Sequence, residues 1–298
     1  MRFALVVFST VCALQSICQN SRAWSQPTPT EHPNSGWYAG VTLGLNRAND
    51  IDQEGWNRDT FCYPTDACFD LDPIPTISGY RWRYNNETAS GHAFQVSIGR
   101  IFDRKRVELA ISQRRNGIDQ IFQSVTNFDG VPMEDREGGT IDSNTRSSID
   151  DFVVRSLSLN AYYDLPGGQR VVSPYVGVGM GTAHVAMTGT HYSDNHTETS
   201  ASGQVYDPPL SFYNGRQEGD LGDVVLIVNF HAGAEYPVGD RTMLGLKLTY
   251  SVTGGMDVRG EYEIHPMHSI DPDFSSHNSF AGARLWTLTL NAKRFFGI

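Results

Sequence analysis

Apolar and polar residues alternate along eight segments of this chain. The last segment is the clearest, because every second residue from Trp286 to Leu290 is apolar and Thr287 and Thr289 lie between them. A period of two predicts a β-strand with one apolar face and one polar face. The same pattern occurs at about residues 36–46, 93–102, 107–114, 153–163, 174–183, 224–236, 244–252 and 286–296. The sequence therefore predicts an all-β fold of eight strands.

The connections between these strands alternate strictly between long and short. Short turns are expected at residues 103–105, 166–168 and 238–241, and long polar segments at about 47–92, 117–148, 190–222 and 254–278. An antiparallel barrel of the bacterial outer membrane has short periplasmic turns, long extracellular loops and both termini in the periplasm. Strands of about 10 to 13 residues are long enough to cross a membrane at a tilt. The pattern predicts an eight-stranded antiparallel transmembrane β-barrel with four long extracellular loops.

A soluble barrel would show the same alternation. The composition of the polar face therefore has to distinguish a soluble barrel from a transmembrane one. That face is mostly Gly, Ser, Thr and Asn, which suits a crowded lumen better than a water-facing surface rich in Lys and Glu. Several aromatic residues of the apolar faces share the short-turn side, where they predict a girdle at the membrane interface. They are Trp37, Phe102, Tyr163, Tyr236 and Phe296; the alternative is a chance distribution.

The final segment resembles the C-terminal strand of bacterial outer-membrane barrels, which the barrel-insertion machinery reads. Trp286, Leu288, Leu290 and Phe296 carry this resemblance, although the chain ends on Ile298 rather than on Phe. The whole pattern resembles the barrels of the OmpA-transmembrane and opacity-protein type, also called porin-family or surface-antigen barrels. The resemblance implies a Gram-negative outer-membrane protein, monomeric and in contact with outer-membrane lipid. Family roles include adhesion, host-factor binding, membrane integrity and weak pore activity. No peptidoglycan-binding domain is expected after Ile298.

The amino terminus has the features of a secretory signal. Arg2 provides the charged start, an apolar run of about 12 residues follows, and residues 23–25 form a small-residue cleavage site. We expect residues 1–25 to be removed, residues 26–35 to form a periplasmic linker, and residues 36–298 to form the barrel. A buried N-terminal helix is the alternative. Cys18 lies in a poor lipobox, so a lipoprotein is not expected.

The chain is acidic. Its formal charge is −10, and without the expected signal it carries 21 basic and 33 acidic residues, a charge of −12. Nucleic-acid binding requires a basic surface, so we expect no nucleic-acid partner.

Two cysteines remain once the signal has been removed. In an exported protein, Cys62 and Cys68 favour a disulfide that closes a small loop. A metal site at these cysteines is the alternative, but the sequence has no second pair of ligands at the spacing of a zinc site.

Charged residues on the polar faces should lie in the lumen. The lumen of an eight-stranded barrel is filled by side chains, so these charges are expected to pair with one another. They are Glu108, Arg114, Glu235, Lys247 and Lys293. A salt-bridge gate on a narrow channel is the alternative.

The histidines give little support to a catalytic or metal site. We expect the loop residues to be solvated, because their spacing repeats no metal-ligand pattern. They are His191, His196, His265, His268 and His277. His184 and His231 lie in strands near Ser and Glu residues, but no catalytic combination falls at matching depth on adjacent strands. We therefore expect no catalytic residues, no metal and no cofactor.

These observations favour a non-enzymatic surface protein. Its barrel would anchor long acidic loops that bind an unknown extracellular ligand or host molecule, and would support envelope integrity. A small-solute pore is the main alternative, and a lipid-modifying barrel enzyme is the third. A hairpin hidden in residues 118–128 would make ten strands and widen the lumen.

Overall fold

The strands of the protein form one antiparallel sheet system in a computed structural model. The structure describes residues 35–64, 66–131, 145–166, 172–196 and 205–296. Thirteen strands lie in these ranges: β1 Ser35–Ala48, β2 Ile51–Asn57, β3 Tyr80–Thr88, β4 Gly91–Phe102, β5 Lys105–Asn127, β6 Arg146–Ser148, β7 Asp151–Asp164, β8 Ser173–Asp194, β9 Gly215–Pro237, β10 Thr242–Thr253, β11 Met256–Glu261, β12 Ser275–Phe280 and β13 Arg284–Phe296. Short 3-10 helices occupy Ala67–Asp70, Leu210–Tyr213 and Pro266–Ser269.

Eight of the described strands close on themselves. Each pairs antiparallel with two neighbours, in the order β1, β4, β5, β7, β8, β9, β10 and β13, and β13 pairs again with β1. The closing pair runs from Trp37 opposite Phe296 to Ala48 opposite Leu285. A closed barrel leaves no free sheet edge, which is what a spanning sheet requires in lipid. The predicted eight-stranded antiparallel barrel is confirmed.

An apolar band covers the outside of this barrel. Strand β13 alternates strictly between exposed and buried residues from Arg284 to Phe296. Leu45, Leu226 and Leu290 are about 70% exposed, which would be costly in water and is favourable in lipid. The exposed apolar side chains of all eight barrel strands therefore form a lipid-facing surface. No helix among the described residues is long and apolar enough to span a bilayer.

The turns at one end of the barrel are short, and we call this the short-turn end. Phe102 and Lys105 are separated by two residues, of which Asp103 has a positive φ of 56°. Between β9 and β10, Gly239 has a φ of 75°, a conformation that glycine adopts without a Cβ clash. Most of the predicted 166–168 turn lies outside the described residues.

The opposite end, the long-loop end, is more ordered than the sequence analysis expected. Strands β5, β8 and β9 extend past the apolar band, and β3 pairs with the distal half of β5 from Thr88 opposite Ile118 to Tyr80 opposite Asn127. Strand β2 pairs with β3 and β12, β12 with β11, and β6 with β8. We call these five short strands and the distal halves of β5, β8 and β9 the collar. Residues 118–127 continue β5 and add no barrel hairpin, which decides between eight and ten strands.

The interior of the barrel is layered along its axis. Tyr38, Ile101, Met243 and Phe295 pack together at the short-turn end. Polar and charged side chains follow in the middle. An apolar core then fills the lumen beneath the collar, and Phe152, Met187, Ile227 and Leu285 are at most 1% exposed there. The sequence analysis expected a polar lumen and missed this apolar core. In residues 224–228 both faces are apolar, and this sign of an apolar interior was overlooked.

Candidate functional site

Two of the predicted lumen charges form a direct ion pair. Glu235 accepts a hydrogen bond of 2.6 Å from Lys293 Nζ and one of 2.7 Å from Arg106, and Asn291 donates a third of 3.3 Å. Arg106 also bridges Asp164. Glu235 is 1% exposed, so these partners are needed to offset the loss of its hydration.

Glu108 and Lys247 are joined through an intermediate side chain. Glu108 accepts hydrogen bonds from the hydroxyls of Tyr38 and Tyr162, at 3.1 and 3.0 Å. Gln95 donates to Glu108 at 3.3 Å and accepts from Lys247 Nζ at 3.1 Å. The Gln95 carboxamide therefore links Glu108 and Lys247, which are not in direct contact.

Arg114 is placed differently from the other four lumen charges. It is 5% exposed, and among the described residues no carboxylate lies within salt-bridge distance of it. One of its guanidinium nitrogens, Nη1, is buried with no hydrogen-bond partner in the described part of the chain. The sequence analysis missed Arg106, although alternation from Glu108 places it on the lumen side.

The five aromatic residues of the predicted girdle all face outward. Each is 42% to 48% exposed, and Trp37 lies opposite Phe296 in the sheet. The guanidinium of Arg100 lies 5.5 Å from the ring of Trp37 and 4.8 Å from that of Phe102. A cation on a lipid-facing strand is tolerable at the interface, where it can reach the headgroups. Of the expected insertion signal, Trp286, Leu288 and Leu290 are exposed with Phe296 on one face of β13.

The histidines of the barrel strands and those of the long loops lie in different surroundings. His231 lies in the lumen, 3.0 Å from Thr249 and 3.3 Å from Asn160, and His184 lies exposed on the outer face. His196 and His265 are 9% and 6% exposed, so the expectation that all loop histidines are solvated was wrong for these two. Folding of the long loops over one another buries them. His277 stacks on Trp56 at 3.9 Å, and His191 lies 3.3 Å from Glu218. The ring centroids of His268 and His265 are 6.4 Å apart.

The predicted disulfide between Cys62 and Cys68 is present. These sulfurs and the carboxylate of Asp66 make the one cluster of potential metal ligands found in the described residues, and the bridge occupies both thiols. The disulfide lies in the segment between β2 and β3, beside an aromatic cluster that includes Tyr63, Tyr80 and Tyr213.

The collar encloses a cavity of about 1150 Å³, which we call the cup. Its walls come from β2, β3, β5, β6, β8, β9 and β12 and from the segments that follow β2 and β11. Strand β3 contributes Tyr80, Trp82 and Tyr84 at alternating positions, while Arg81 and Arg83 point outward. The ring of Trp82 packs over Gly55, whose missing side chain makes room for it.

A chain of hydrogen-bonded side chains crosses five strands in the cup wall. It runs in one direction, each link at 2.8 to 3.1 Å, and we call it the amide belt. Its members in order are Ser147, Gln120, Gln53, Asn278, Ser276 and Gln217. Because each carboxamide accepts at its oxygen and donates at its nitrogen, the belt fixes the orientation of the next amide.

Buried acids lie near the outer part of the cup. Asp59 accepts hydrogen bonds from the Tyr63 hydroxyl at 2.5 Å and from the Phe61 amide at 2.9 Å, and His265 Nε2 lies 3.7 Å away. Burial raises the pKa of Asp59 from 3.8 to about 6, although the Tyr63 hydrogen bond opposes the shift. Burial also lowers the pKa of His265 from 6.5 to about 3. At neutral pH, Asp59 is charged and His265 is neutral.

Sequence analysis did not find the cup because it treated residues 47–92 as one polar loop. The signal was present, since Tyr80, Trp82 and Tyr84 alternate with arginines as clearly as in any barrel strand. The belt has no comparable signal, because Gln53 and Asn278 meet only through the pairing of β2 with β12.

The comparisons with known proteins agree with this fold. A family model described as surface antigen matches residues 65–200, slightly under half of the chain. No protein of curated function matches.

Solved structures similar to the chain include three outer-membrane proteins. Neisserial surface protein A is 13% identical, covering 88% of this chain and 97% of its own, with a TM-score of 0.37. The outer-membrane protease OmpT of Escherichia coli is 9% identical, covering 93% and 99%, with a TM-score of 0.36. Ail of Yersinia pestis, solved with the heparin analogue sucrose octasulfate, is 11% identical, covering 87% and 99%, with a TM-score of 0.30. These TM-scores are too low to carry an argument about activity.

The closed barrel, its apolar band and the family match confirm the predicted resemblance: this chain is an eight-stranded outer-membrane barrel similar to the surface-antigen proteins.

Proposed function

We propose that the protein is a non-enzymatic surface protein that binds an extracellular ligand in the cup, with its barrel as the anchor that also supports the envelope. The observation that carries this proposal is the cup itself, a concave site of about 1150 Å³ built by long loops. Its volume is slightly above the range of ordinary ligand sites, roughly 300–1,000 Å³, and preformed concave sites of this kind are where ligands bind.

The apolar core beneath the cup favours binding over conduction. Phe152, Met187, Ile227 and Leu285 lie in the lumen and are at most 1% exposed. A hydrated solute would have to displace this packed layer, which is held by the hydrophobic effect and by close packing. The cup is therefore closed at its base by the apolar core, and a small-solute pore is disfavoured.

The proposal places the long-loop end outside the cell and includes export by a signal in residues 1–25. Short periplasmic turns and long extracellular loops are the usual arrangement of outer-membrane barrels. The expected signal contains Cys12 and Cys18, and Cys62 and Cys68 form a disulfide. A single added cysteine would therefore be the free thiol of the mature protein.

The test uses three such variants displayed on a Gram-negative host that lacks adhesins of its own. Gln123→Cys lines the cup, Asp52→Cys lies on the outer face of the collar, and Asp240→Cys lies in a short turn. A membrane-impermeant maleimide should label the first two on intact cells and leave Asp240→Cys unlabelled. Labelling of Asp240→Cys alone would reverse the proposed orientation.

Adherence to an epithelial monolayer then tests the role of the cup. A bulky polyethylene-glycol maleimide on Gln123→Cys should reduce adherence to that of cells with an empty vector. The same reagent on Asp52→Cys should leave adherence within twofold of the unlabelled cells. Equal adherence after both modifications, or none beyond the empty vector from protein shown to be on the surface, contradicts the proposal.

A further inference from the structure

The wall of the cup combines aromatic rings with neutral hydrogen-bonding groups. Seven aromatic side chains line it, among them Trp82, Tyr84 and Phe122, together with the carboxamides and hydroxyls of the amide belt. Among the described residues, the aliphatic lining consists of Val125, Ile149 and Leu221. Tyr and Trp offer rigid contact area at a small entropic cost, while amides and hydroxyls supply directional hydrogen bonds.

This lining does not suit a lipid or a polyanion. An acyl chain requires mainly aliphatic walls, which three residues do not supply. A sulfated or phosphorylated ligand requires a cluster of Lys and Arg. Among the described residues of the lining, Arg146 is the one Arg or Lys, against Asp59, Asp66 and Asp194.

A cationic ligand is also disfavoured, because two of the three buried carboxylates in the described lining, those of Asp59 and Asp66, already accept hydrogen bonds. Asp59 is held by Tyr63 and the Phe61 amide. Asp66 accepts from the Tyr63 amide at 3.3 Å and from the Tyr80 hydroxyl at 3.2 Å. Asp194 Oδ2 lies 3.5 Å from His196, while its Oδ1 has no hydrogen-bond partner among the described residues. A cation would have to compete with these groups in positions that are 1% to 8% exposed.

The cup is also unlike a docking surface for a folded protein. A stable protein interface buries about 800 Å² on each partner, generally over a broad area. Here the aromatic rings line a concave wall, and the polar groups are pre-oriented by the belt from Ser147 to Gln217. A chain-like ligand of small polar units with apolar faces fits this arrangement.

We infer that the cup is a binding site for a neutral oligosaccharide. The aromatic rings of β3 and Phe122 present surfaces for the apolar faces of sugar rings, and Trp82 occupies the middle of β3. Of the amide belt, Ser147 and Gln120 are partly exposed and present donors and acceptors to the sugar hydroxyl groups, which cannot be left unpaired on burial without a penalty. The four buried members hold these two in place. The inference rests on the proposed function, since it names the ligand class for the same cup.

Purified protein in phosphatidylcholine nanodiscs tests the inference, because detergents with sugar headgroups would compete for the site. The protein is applied to an array of neutral glycans, with a heparin hexasaccharide and spermine as charged probes. Binding of at least one neutral glycan, with neither charged probe bound more tightly, is expected. The Kd of the best neutral glycan is then measured by calorimetry and by tryptophan fluorescence.

Two substitutions of Trp82 and a control substitution of Trp56 test whether the glycan binds in the cup. Trp82→Ala should weaken binding about tenfold or more, and Trp82→Phe, which keeps a ring, should stay within about threefold and lose the fluorescence change. Trp56→Ala is the control, because Trp56 stacks on His277 on the outer face of the same hairpin. Its Kd should stay within twofold. Equal loss in Trp56→Ala and Trp82→Ala, or full binding by Trp82→Ala, overturns the assignment to the cup.

The outcome is distinguishable from failure of the proposed function. If no neutral glycan binds while cup-dependent adherence persists, the sugar inference is wrong and the cup binds a ligand of another class. Tighter binding of heparin or spermine overturns it in the same way. If adherence also fails, the surface-binding function itself is wrong.

Discussion

At the scale of single residues, the stability of the lumen depends on the ion-pair and hydrogen-bond partners of each buried charge. Glu235 holds Arg106 and Lys293 together, and all three are at most 5% exposed. Removing the carboxylate charge leaves Lys293 without its ion-pair partner and Arg106 with Asp164 alone, in a site of low dielectric constant. This is far more costly than the loss of an exposed pair.

Glu235→Gln should therefore destabilise the barrel by about 3 kcal/mol. The free energy of unfolding would be measured by urea titration of the protein in lipid vesicles. Glu54→Gln is the control, since its pair with Arg83 is largely exposed and should contribute less than about 1 kcal/mol. Equal effects of the two substitutions would contradict the role assigned to Glu235.

The collar contains two groups whose protonation has opposite effects on stability. The pKa of Asp59 is raised from 3.8 to about 6 by burial, so the folded collar holds a proton there that the unfolded segment has lost. Lowering the pH through 6 toward 4 therefore stabilises the collar. The pKa of His265 is lowered from 6.5 to about 3, so the unfolded segment binds the proton and the same change destabilises the collar.

Single variants should separate these effects. In Asp59→Asn the effect of His265 is no longer opposed by Asp59, although burial also raises the pKa of Asp66. Opening of the collar should therefore become easier between pH 7 and pH 5, by at most about 2 kcal/mol. His265→Gln should show the opposite sign, by about 1 kcal/mol. The measurement is hydrogen exchange of residues 57–64 and 262–268, corrected for the intrinsic rate at each pH. The same sign in both variants would refute this assignment.

At the scale of elements, the β2–β3 hairpin depends on a missing side chain. A Cβ on Gly55 would lie 2.0 Å from Nε1 of Trp82, so Gly55→Ala should push the indole out of place and toward the cup. A red shift of tryptophan emission and a weaker cup ligand would follow. Gly117→Ala is the control, because its Cβ would meet only Ala89 Cβ, at 3.8 Å. An unchanged spectrum for Gly55→Ala would mean that Trp82 does not pack on β2.

The barrel strands could be predicted from the sequence because their alternation is set by neighbouring residues. Each side chain faces either lipid or the lumen, and in β13 the apolar set from Trp286 to Phe296 is almost unbroken. The collar strands obey the same rule, as Tyr80, Trp82 and Tyr84 demonstrate. They were missed because long polar stretches were read as loops, and because β2, β11 and β12 are only 6 or 7 residues long.

At the scale of the whole molecule, the protein is a stack of four zones along one axis. From the short-turn end these are a small aromatic cluster, the buried charge network, the apolar core and the cup. The apolar core separates the polar lumen from the polar cup. This arrangement makes the barrel a rigid base for the collar.

Conductance tests the whole-molecule arrangement directly. The refolded protein in a planar bilayer should give no stable single-channel steps, because the core around Phe152 and Ile227 leaves no aqueous path. Resistance of the inserted barrel to protease provides the control for incorporation. Reproducible steps from inserted protein would favour the small-solute pore over the closed cup.

The sequence by itself determined the number of barrel strands, their inward and outward faces and the disulfide. These follow from local periodicity, turn residues and an even cysteine count, which are properties of short segments. Only the tertiary structure decided which loop residues meet. Gln120, Gln53 and Asn278 belong to three separate strands, and their contact depends on a register that no local pattern encodes. The amide belt, the buried histidines and the apolar core all arise in this way, because packing between distant segments selects them.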